Sequence, residues 1–185
     1  MELFIAAQNS IRTRFAIRSN LAIGNRLREL QSPVMAFEFK AQRRVEFSDT
    51  DMAGIMHYSN FFRFMETAEH GFFRSLGLTI APRQFEPGQG KVGWPRVHAS
   101  CDYHQPLRFE DLVEIHLLVV EKKSKAITYQ FRFRKLDDGA GKEVARGKLT
   151  VVCVGYDEAS GVMKAANIPS EIASRIEIAP AEMFA

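Results

Sequence analysis

Cysteine is scarce in this 185-residue chain: Cys101 and Cys153 are the only two. Two thiols cannot form a disulfide framework, and no CxxC or CxxH spacing presents a structural zinc set. Long apolar runs are missing as well. The longest is Leu3 to Ala7, far short of the roughly 20 residues a bilayer-spanning helix requires. No membrane association is expected, and a reducing, cytoplasmic compartment is. Low complexity is also absent. Apolar residues make up 46%, charged residues 25% and aromatic residues 11%, which is the profile of a globular chain with one domain or two small ones.

Acidic residues are thin in one place. Residues 1–34 hold five arginines against Glu2 and Glu29, whereas residues 35–185 balance 20 basic against 20 acidic groups. The whole net charge of +3 therefore sits in the front segment. A nucleic-acid binder carries its positive charge as a patch on the folded domain, so no nucleic-acid partner is expected. Nor does the front segment read as a secretory signal, because no basic residue precedes its short apolar stretch. It is expected to be an extension over 1–34, outside a core domain at 35–160 that is followed by a tail at 161–185.

From Met35 the periodicity is legible. Phe37, Phe39, Ala41, Val45 and Phe47 alternate with polar residues, which predicts a strand with one buried face. Over 60–76 the period changes: Phe61, Phe64, Met65, Ala68, Phe72 and Leu76 recur at three and four, and Phe62 and Phe73 widen the apolar surface. Ser59 or Asn60 can cap this helix, and Gly77 followed by Leu78 can end it. Strands are expected over Val92–His104, broken near Pro95, and over Leu112–Glu121, Ile127–Lys135 and Val144–Tyr156. Turns fall at 122–125 and 137–141, and a short helix over Ser170–Ile176. One strand, one long helix and then about four strands in meander predict an α+β fold, with the helix on the concave face of a curved antiparallel sheet of about five strands. Uncovered sheet edges predict a homodimer joined edge to edge.

The chemistry gathers between the first strand and the helix, in Asp51-Met52-Ala53-Gly54-Ile55-Met56-His57-Tyr58. Amide N–H groups opening a helix have no intrahelical partners and carry the positive end of its dipole, so they can hold a carbonyl oxygen on which negative charge develops. A carboxylate nearby can attack that carbonyl or take a proton from water. Asp51 is suited to this role, or to capping a turn ahead of a glycine. Gly54 supplies a positive φ or lets a substrate approach the backbone. His57 reads as a satisfied half-buried imidazole or as an orienter of water or of Asp51. Ser59, Asn60 and Phe61 flank the same helix start. Glu66 is an ordinary helix charge or a support for the site. Lys122, Lys123 and Lys125 are solvated hairpin lysines or a holder of phosphate groups.

Asp51-Met52-Ala53-Gly54-Ile55-Met56, followed by aromatics and a helix with Phe64-Met65-Glu66-Thr67-Ala68-Glu69, resembles the hotdog-fold acyl-CoA thioesterases of the 4-hydroxybenzoyl-CoA thioesterase-like family, over roughly residues 38–156. The resemblance implies Asp51 as the catalytic residue and the Tyr58 backbone amide as the group polarising the thioester carbonyl. It also implies acyl-CoA as substrate and a dimer, often paired into tetramers, with active sites at the interface. Some members place a histidine where Tyr58 stands; here His57 is one position earlier. No metal or redox cofactor is expected. Phe61, Phe62, Met65 and Trp94 are candidates for the acyl pocket. A non-catalytic acyl-CoA binding module and a hotdog hydratase or dehydratase are the alternatives. The second lacks support, since neither an Asp-x-Asn-Pro-x-His pattern nor a His-Phe-Pro-Gly stretch occurs.

A chain begun at Met35 is expected to fold and keep full activity, read by circular dichroism and thiol release. A clear loss of either would give residues 1–34 a role.

Overall fold

The alternating segment at Phe37 forms β1 (Glu38–Arg44). It pairs antiparallel with β4 (Leu112–Lys122), Glu38 opposite Leu118 and Arg44 opposite Leu112. The computed structural model describes residues 36–80, 92–136, 141–156 and 162–183. The 1–34 extension and all but Gly141 of the expected 137–141 turn lie outside the described residues. With β3 (Arg96–Tyr103), β5 (Ala126–Lys135) and β6 (Lys142–Val152), these strands make one five-stranded sheet in the order β1-β4-β5-β6-β3.

That order corrects the expected meander. β4, β5 and β6 are neighbours, as short connections dictate, but β3, the strand after the helix, pairs with β6 at the far edge. The helix carries the chain across the sheet, so the strand that follows it has no reason to lie beside β4. The helix itself, α1 (Tyr58–Ser75), buries Phe61, Phe64, Met65, Ala68, Phe72 and Phe73. Opposite them stand Tyr129, Phe131 and Phe133, alternate residues of β5 with no exposed surface. Phe61 meets Phe133 edge-on at 5.1 Å between ring centroids, and Phe72 meets Tyr129 at 6.4 Å. Burial of each such side chain is worth roughly 1.5–3 kcal/mol, and this is what fixes the helix on the sheet.

The cap of α1 is His57, not Ser59 or Asn60. Its Nδ1 accepts the Ser59 N–H at 3.4 Å and lies 2.8 Å from Ser59 Oγ, so a ring nitrogen does what a hydroxyl or carboxylate usually does. The other end closes as expected. Gly77 takes φ +70°, its N–H donates to Arg74 O at 3.0 Å, and Leu78 N–H donates to Phe73 O at 2.9 Å, the bond pair of a Schellman turn.

Two expected strands are split. Trp94 and Pro95 separate β2 (Val92–Gly93) from β3, and Cys153 separates β6 from β7 (Val154–Tyr156), its N–H turned to Lys125 O at 2.8 Å. β2, β7 and β8 (Met163–Ala165) form a second, three-stranded sheet. Phe47, expected on a buried strand face, is 78% exposed, because β1 ends at Arg44 and Phe47–Asp49 turns as a 3-10 helix. The segment expected as a tail also packs into the domain. Ile168, Ile172 and Ile176 join the core around the single turn α2 (Ser170–Ala173), and Arg175 donates to Leu76 O at 2.8 Å at the end of α1. Among the described residues no helix is long and apolar enough to cross a membrane.

One charge lies within this packing. Glu69 of α1 has no exposed surface and meets Arg96 at 2.7 Å, while Arg96 also reaches Glu66 at 3.1 Å. Burial outweighs the attraction of Arg96 and, helped by the nearby Glu66 charge, raises the Glu69 carboxyl to about 7. The fold thus holds a proton that the unfolded chain releases near 4.5. Stability is highest below that value and is lost as pH rises toward 7, by on the order of 3 kcal/mol. Urea unfolding of wild type and Glu69→Gln at pH 5 and pH 8 is expected to show this loss in wild type and a much smaller one in the variant. Equal pH dependence would remove Glu69 as its source.

Candidate active site

β1 stops where its neighbour begins. Val45 is buried and exchanges backbone hydrogen bonds with the turn before β4: Val45 N–H to Asp111 O and Glu110 N–H to Val45 O, both at 2.9 Å. The chain then turns at Phe47–Asp49, braced by Glu46 N–H on Asp49 Oδ2 at 3.0 Å and by Thr50 Oγ1 on Phe47 O at 2.8 Å. Beyond it the chain doubles back. Thr50 and Met56 pair as an antiparallel bridge, Asp51 N–H donates to Ile55 O at 2.9 Å, and Gly54 N–H donates to Asp51 O at 3.0 Å.

Asp51 shapes the tip of this hairpin with its own side chain. Its Oδ1 accepts the Ala53 N–H at 2.8 Å, the bond of an Asx turn. Among the described residues Oδ2 has no partner, and Asp51 is exposed. Gly54 has φ +71° with no atom within 4 Å of where a Cβ would stand. Its glycine is therefore required by backbone conformation, not by crowding within this chain.

The return strand of the hairpin leads straight into α1. Met56 is buried and its N–H donates to Leu107 O at 2.7 Å. His57 N–H donates to Asp49 O at 2.9 Å, and the buried Asn60 reaches the same oxygen through Nδ2 at 2.8 Å. In the first turn Ser59 N–H is taken by the His57 ring and Asn60 N–H by His57 O at 2.9 Å. Among the described residues the Tyr58 N–H meets no acceptor, although Tyr58 itself is 62% exposed, with its ring against His57 at 4.4 Å. The helix thus presents an open donor at its positive end.

Beside this donor lies a cleft of about 400 Å³, walled by Ile55, Met56, Phe61, Tyr103, Pro106 and Leu107, with His104 and Gln105 as its polar members. Tyr103 donates weakly to Tyr58 O at 3.4 Å and stacks edge-on against Phe61. Desolvation, then the neighbouring Cys101, pushes its phenol up to about 12, so it stays a neutral donor. Asp51 does not line the cleft; its hairpin adjoins it through Ile55 and Met56.

The structure therefore brings Asp51, Gly54, His57, Tyr58, Ser59, Asn60 and Phe61 into one neighbourhood, and separates other candidates from it. Asn60 is spent on Asp49 O, and Ser59 on the His57 ring. Glu66 is held by Arg96 along α1. Of the acyl-pocket candidates only Phe61 lines the cleft, since Met65 and Trp94 are core residues. The lysine trio stands apart from this neighbourhood. Lys122 donates to Ala173 O at 2.9 Å and to Ile176 O at 2.6 Å, Lys123 pairs with Glu121 at 2.9 Å, and Lys125 reaches Ala165 O at 3.4 Å. They also stand at the end of β4 remote from Leu112, about 30 Å along the strand from the Asp51 hairpin. Sequence periodicity gave no sign of the shared acceptor at Asp49 O or of Tyr103 and Gln105–Leu107 as cleft walls; the only hint was Pro106 ending a strand pattern. Among the described residues no three His, Cys, Asp or Glu side chains converge as metal ligands.

Comparison with known proteins gives these features a context. The thioesterase-like superfamily matches residues 45–176, a span that takes in the Asp51 hairpin, α1 and every strand of the five-stranded sheet except β1. A protein of Aquifex aeolicus (strain VF5) carrying an esterase name is 35% identical over 104 residues, 56% of this chain and 78% of that one. The 4-hydroxybenzoyl-CoA thioesterase of Pseudomonas sp. (strain CBS-3) is 28% identical over 105 residues, 57% of this chain and 74% of that one. Among solved structures, a gentisyl-coenzyme A thioesterase superposes with a TM-score of 0.58 at 30% identity, covering 73% of this chain and 99% of that one. With its single long helix held in a five-stranded antiparallel sheet and this match across most of its length, the chain is a hotdog-fold member of the thioesterase-like superfamily.

Proposed function

We propose that this protein hydrolyses acyl-CoA thioesters, with Asp51 and the Tyr58 backbone N–H as its catalytic groups. The unpartnered N–H at the start of α1, next to the Asp51 hairpin and the cleft, carries this reading. The thioester carbonyl oxygen accepts from Tyr58 N–H, where the helix dipole offsets the charge that develops on it. Asp51 keeps Oδ1 on Ala53 N–H and has Oδ2 for the reaction. Two routes use that oxygen. It attacks the thioester carbon, expelling coenzyme A thiolate and leaving a mixed anhydride that water hydrolyses, or it takes a proton from a water that attacks instead. Either way the products are a carboxylic acid and coenzyme A; in a single turnover in oxygen-18 water, label entering Asp51 marks the anhydride route with water attacking the Asp51 carboxyl carbon.

The cleft walls favour an aromatic acyl group. Phe61 and Tyr103 offer an edge and a face at 5.1 Å from each other, and the named substrates of the Pseudomonas and gentisyl-CoA relatives carry aromatic acyl groups. A second copy of the chain completes the site. Among the described residues, outer strand β3 leaves one edge unpaired, with Val97 61% and Tyr103 47% exposed. Pairing that edge with its counterpart brings the partner to the mouth of the cleft and shelters Asp51 from bulk water. The free thiols Cys101 and Cys153 suit a reducing, cytoplasmic setting.

Asp51→Asn retains an Oδ1 acceptor for Ala53 N–H, so the hairpin is expected to persist while thiol release across a panel of aromatic and aliphatic acyl-CoAs drops by roughly two to three orders of magnitude. Near-normal turnover in that variant would end the assignment. Light scattering at micromolar concentration is expected to give a dimer or a multiple of it, and a monomer at full activity would show that one chain suffices.

A further inference from the structure

Resting on the hydrolase reading above, we infer that Asn60 is a positioning residue that locks the Asp51 hairpin to the first turn of α1 through the Asp49 carbonyl. Asn60 is 6% exposed and points inward, so it is not placed to touch substrate. Its partner is a carbonyl oxygen, so the amide must present its NH2 end, and Nδ2 lies 2.8 Å from Asp49 O. His57 N–H uses the second lone pair of the same oxygen at 2.9 Å.

The position of this acceptor in the chain gives the contact its consequence. Asp49 stands two residues before the reacting carboxylate, and Asn60 two residues after the open Tyr58 N–H. Along the covalent chain the two catalytic groups are joined through residues 52–57, of which Met52-Ala53-Gly54 form the exposed tip of the hairpin. Across the base of the hairpin they are joined by the two hydrogen bonds of the Thr50–Met56 bridge, Asp51 N–H to Ile55 O and His57 N–H to Asp49 O, and by the Asn60 bond. Of these, only the Asn60 bond is anchored within the helix proper; the others end on residues that precede it. When it is removed, hairpin and helix can hinge at His57 while each keeps its own fold. A shift of about 1 Å between a nucleophile and an oxyanion donor is enough to cost about a hundredfold in rate.

The fixed geometry acts on turnover rather than on substrate capture. Asn60→Ala and the same-sized Asn60→Asp, whose carboxylate cannot donate, are expected to lower kcat for a responsive acyl-CoA by about 10- to 100-fold and leave KM within about threefold. Amide exchange at His57, which shares the acceptor, is expected to quicken at least about tenfold in Asn60→Ala. Thr128→Val, which removes a buried hydroxyl on β5 bonded to Thr150 at 3.2 Å, serves as a remote control for general destabilisation and is expected to keep normal kcat. A kcat within twofold of wild type in either Asn60 variant, a raised KM with unchanged kcat, or an unaltered His57 exchange rate overturns the inference. Full activity in Asp51→Asn, or no thiol release by wild type, overturns the hydrolase reading instead; the exchange measurement then still reports on the lock. Should Asn60→Ala not fold, the kinetics and exchange of Asn60→Asp decide the matter alone.

Discussion

Burial of α1 on the inner face of the sheet is the constraint from which the rest follows. Phe64, Met65, Ala68 and Phe72 leave almost no surface to solvent, so the helix can neither roll nor slide without opening a cavity among Tyr129, Phe131 and Phe133. Its N-terminus is held in space by this packing and by the Asn60 amide on Asp49 O, with no call on the backbone N–H groups of its first turn. Those groups are then free to serve other ends: one amide is capped by an imidazole, one is tied to the cap residue's carbonyl, and that of Tyr58 meets no acceptor among the described residues.

The fold was legible wherever one face of an element is buried and the other wet. β1, β5 and α1 announce themselves through Phe39 and Ala41, through Tyr129, Phe131 and Phe133, and through the three-and-four spacing from Phe61 to Phe72. Where burial is two-sided or one-residue breaks intervene, the pattern carries less. The split at Cys153 cannot be seen because Cys153 is as apolar as its neighbours, and the place of β3 beyond β6 is set by the path of the chain over α1, which periodicity does not encode. The segment at 162–183 read as a tail with one short helix because Ile168, Ile172 and Ile176, though four apart, are too few to announce packing against the domain, and all three are buried.

The site was legible to the extent that chemistry and local sequence coincide. Asp51, Gly54 and the helix start lie within a few residues, so composition alone brings them together. The shared Asp49 carbonyl is a backbone atom and leaves no mark on residue identity. Lysines 122, 123 and 125 are conspicuous in sequence by their charge, whereas their partners, two backbone carbonyl sites and a neighbouring glutamate, are visible only in the structure. Tyr103 and Leu107 become cleft walls only because β3 arrives at the sheet edge nearest the start of α1.

The two ends of α1 are settled by parts of the chain far apart in synthesis. Its N-terminal end is framed by residues 45–60 together with Tyr103 and Leu107, whereas its other end is latched by Arg175 and, through the hairpin tip, by Lys122 on Ala173 and Ile176. On the ribosome, the hairpin and helix start can therefore take shape early, while the opposite end of the core stays unsealed until the last few dozen residues have emerged. Truncation by a protease would accordingly leave a protein that keeps the Asp51 hairpin and the start of α1 but whose hydrophobic interior is open to solvent and to neighbouring chains.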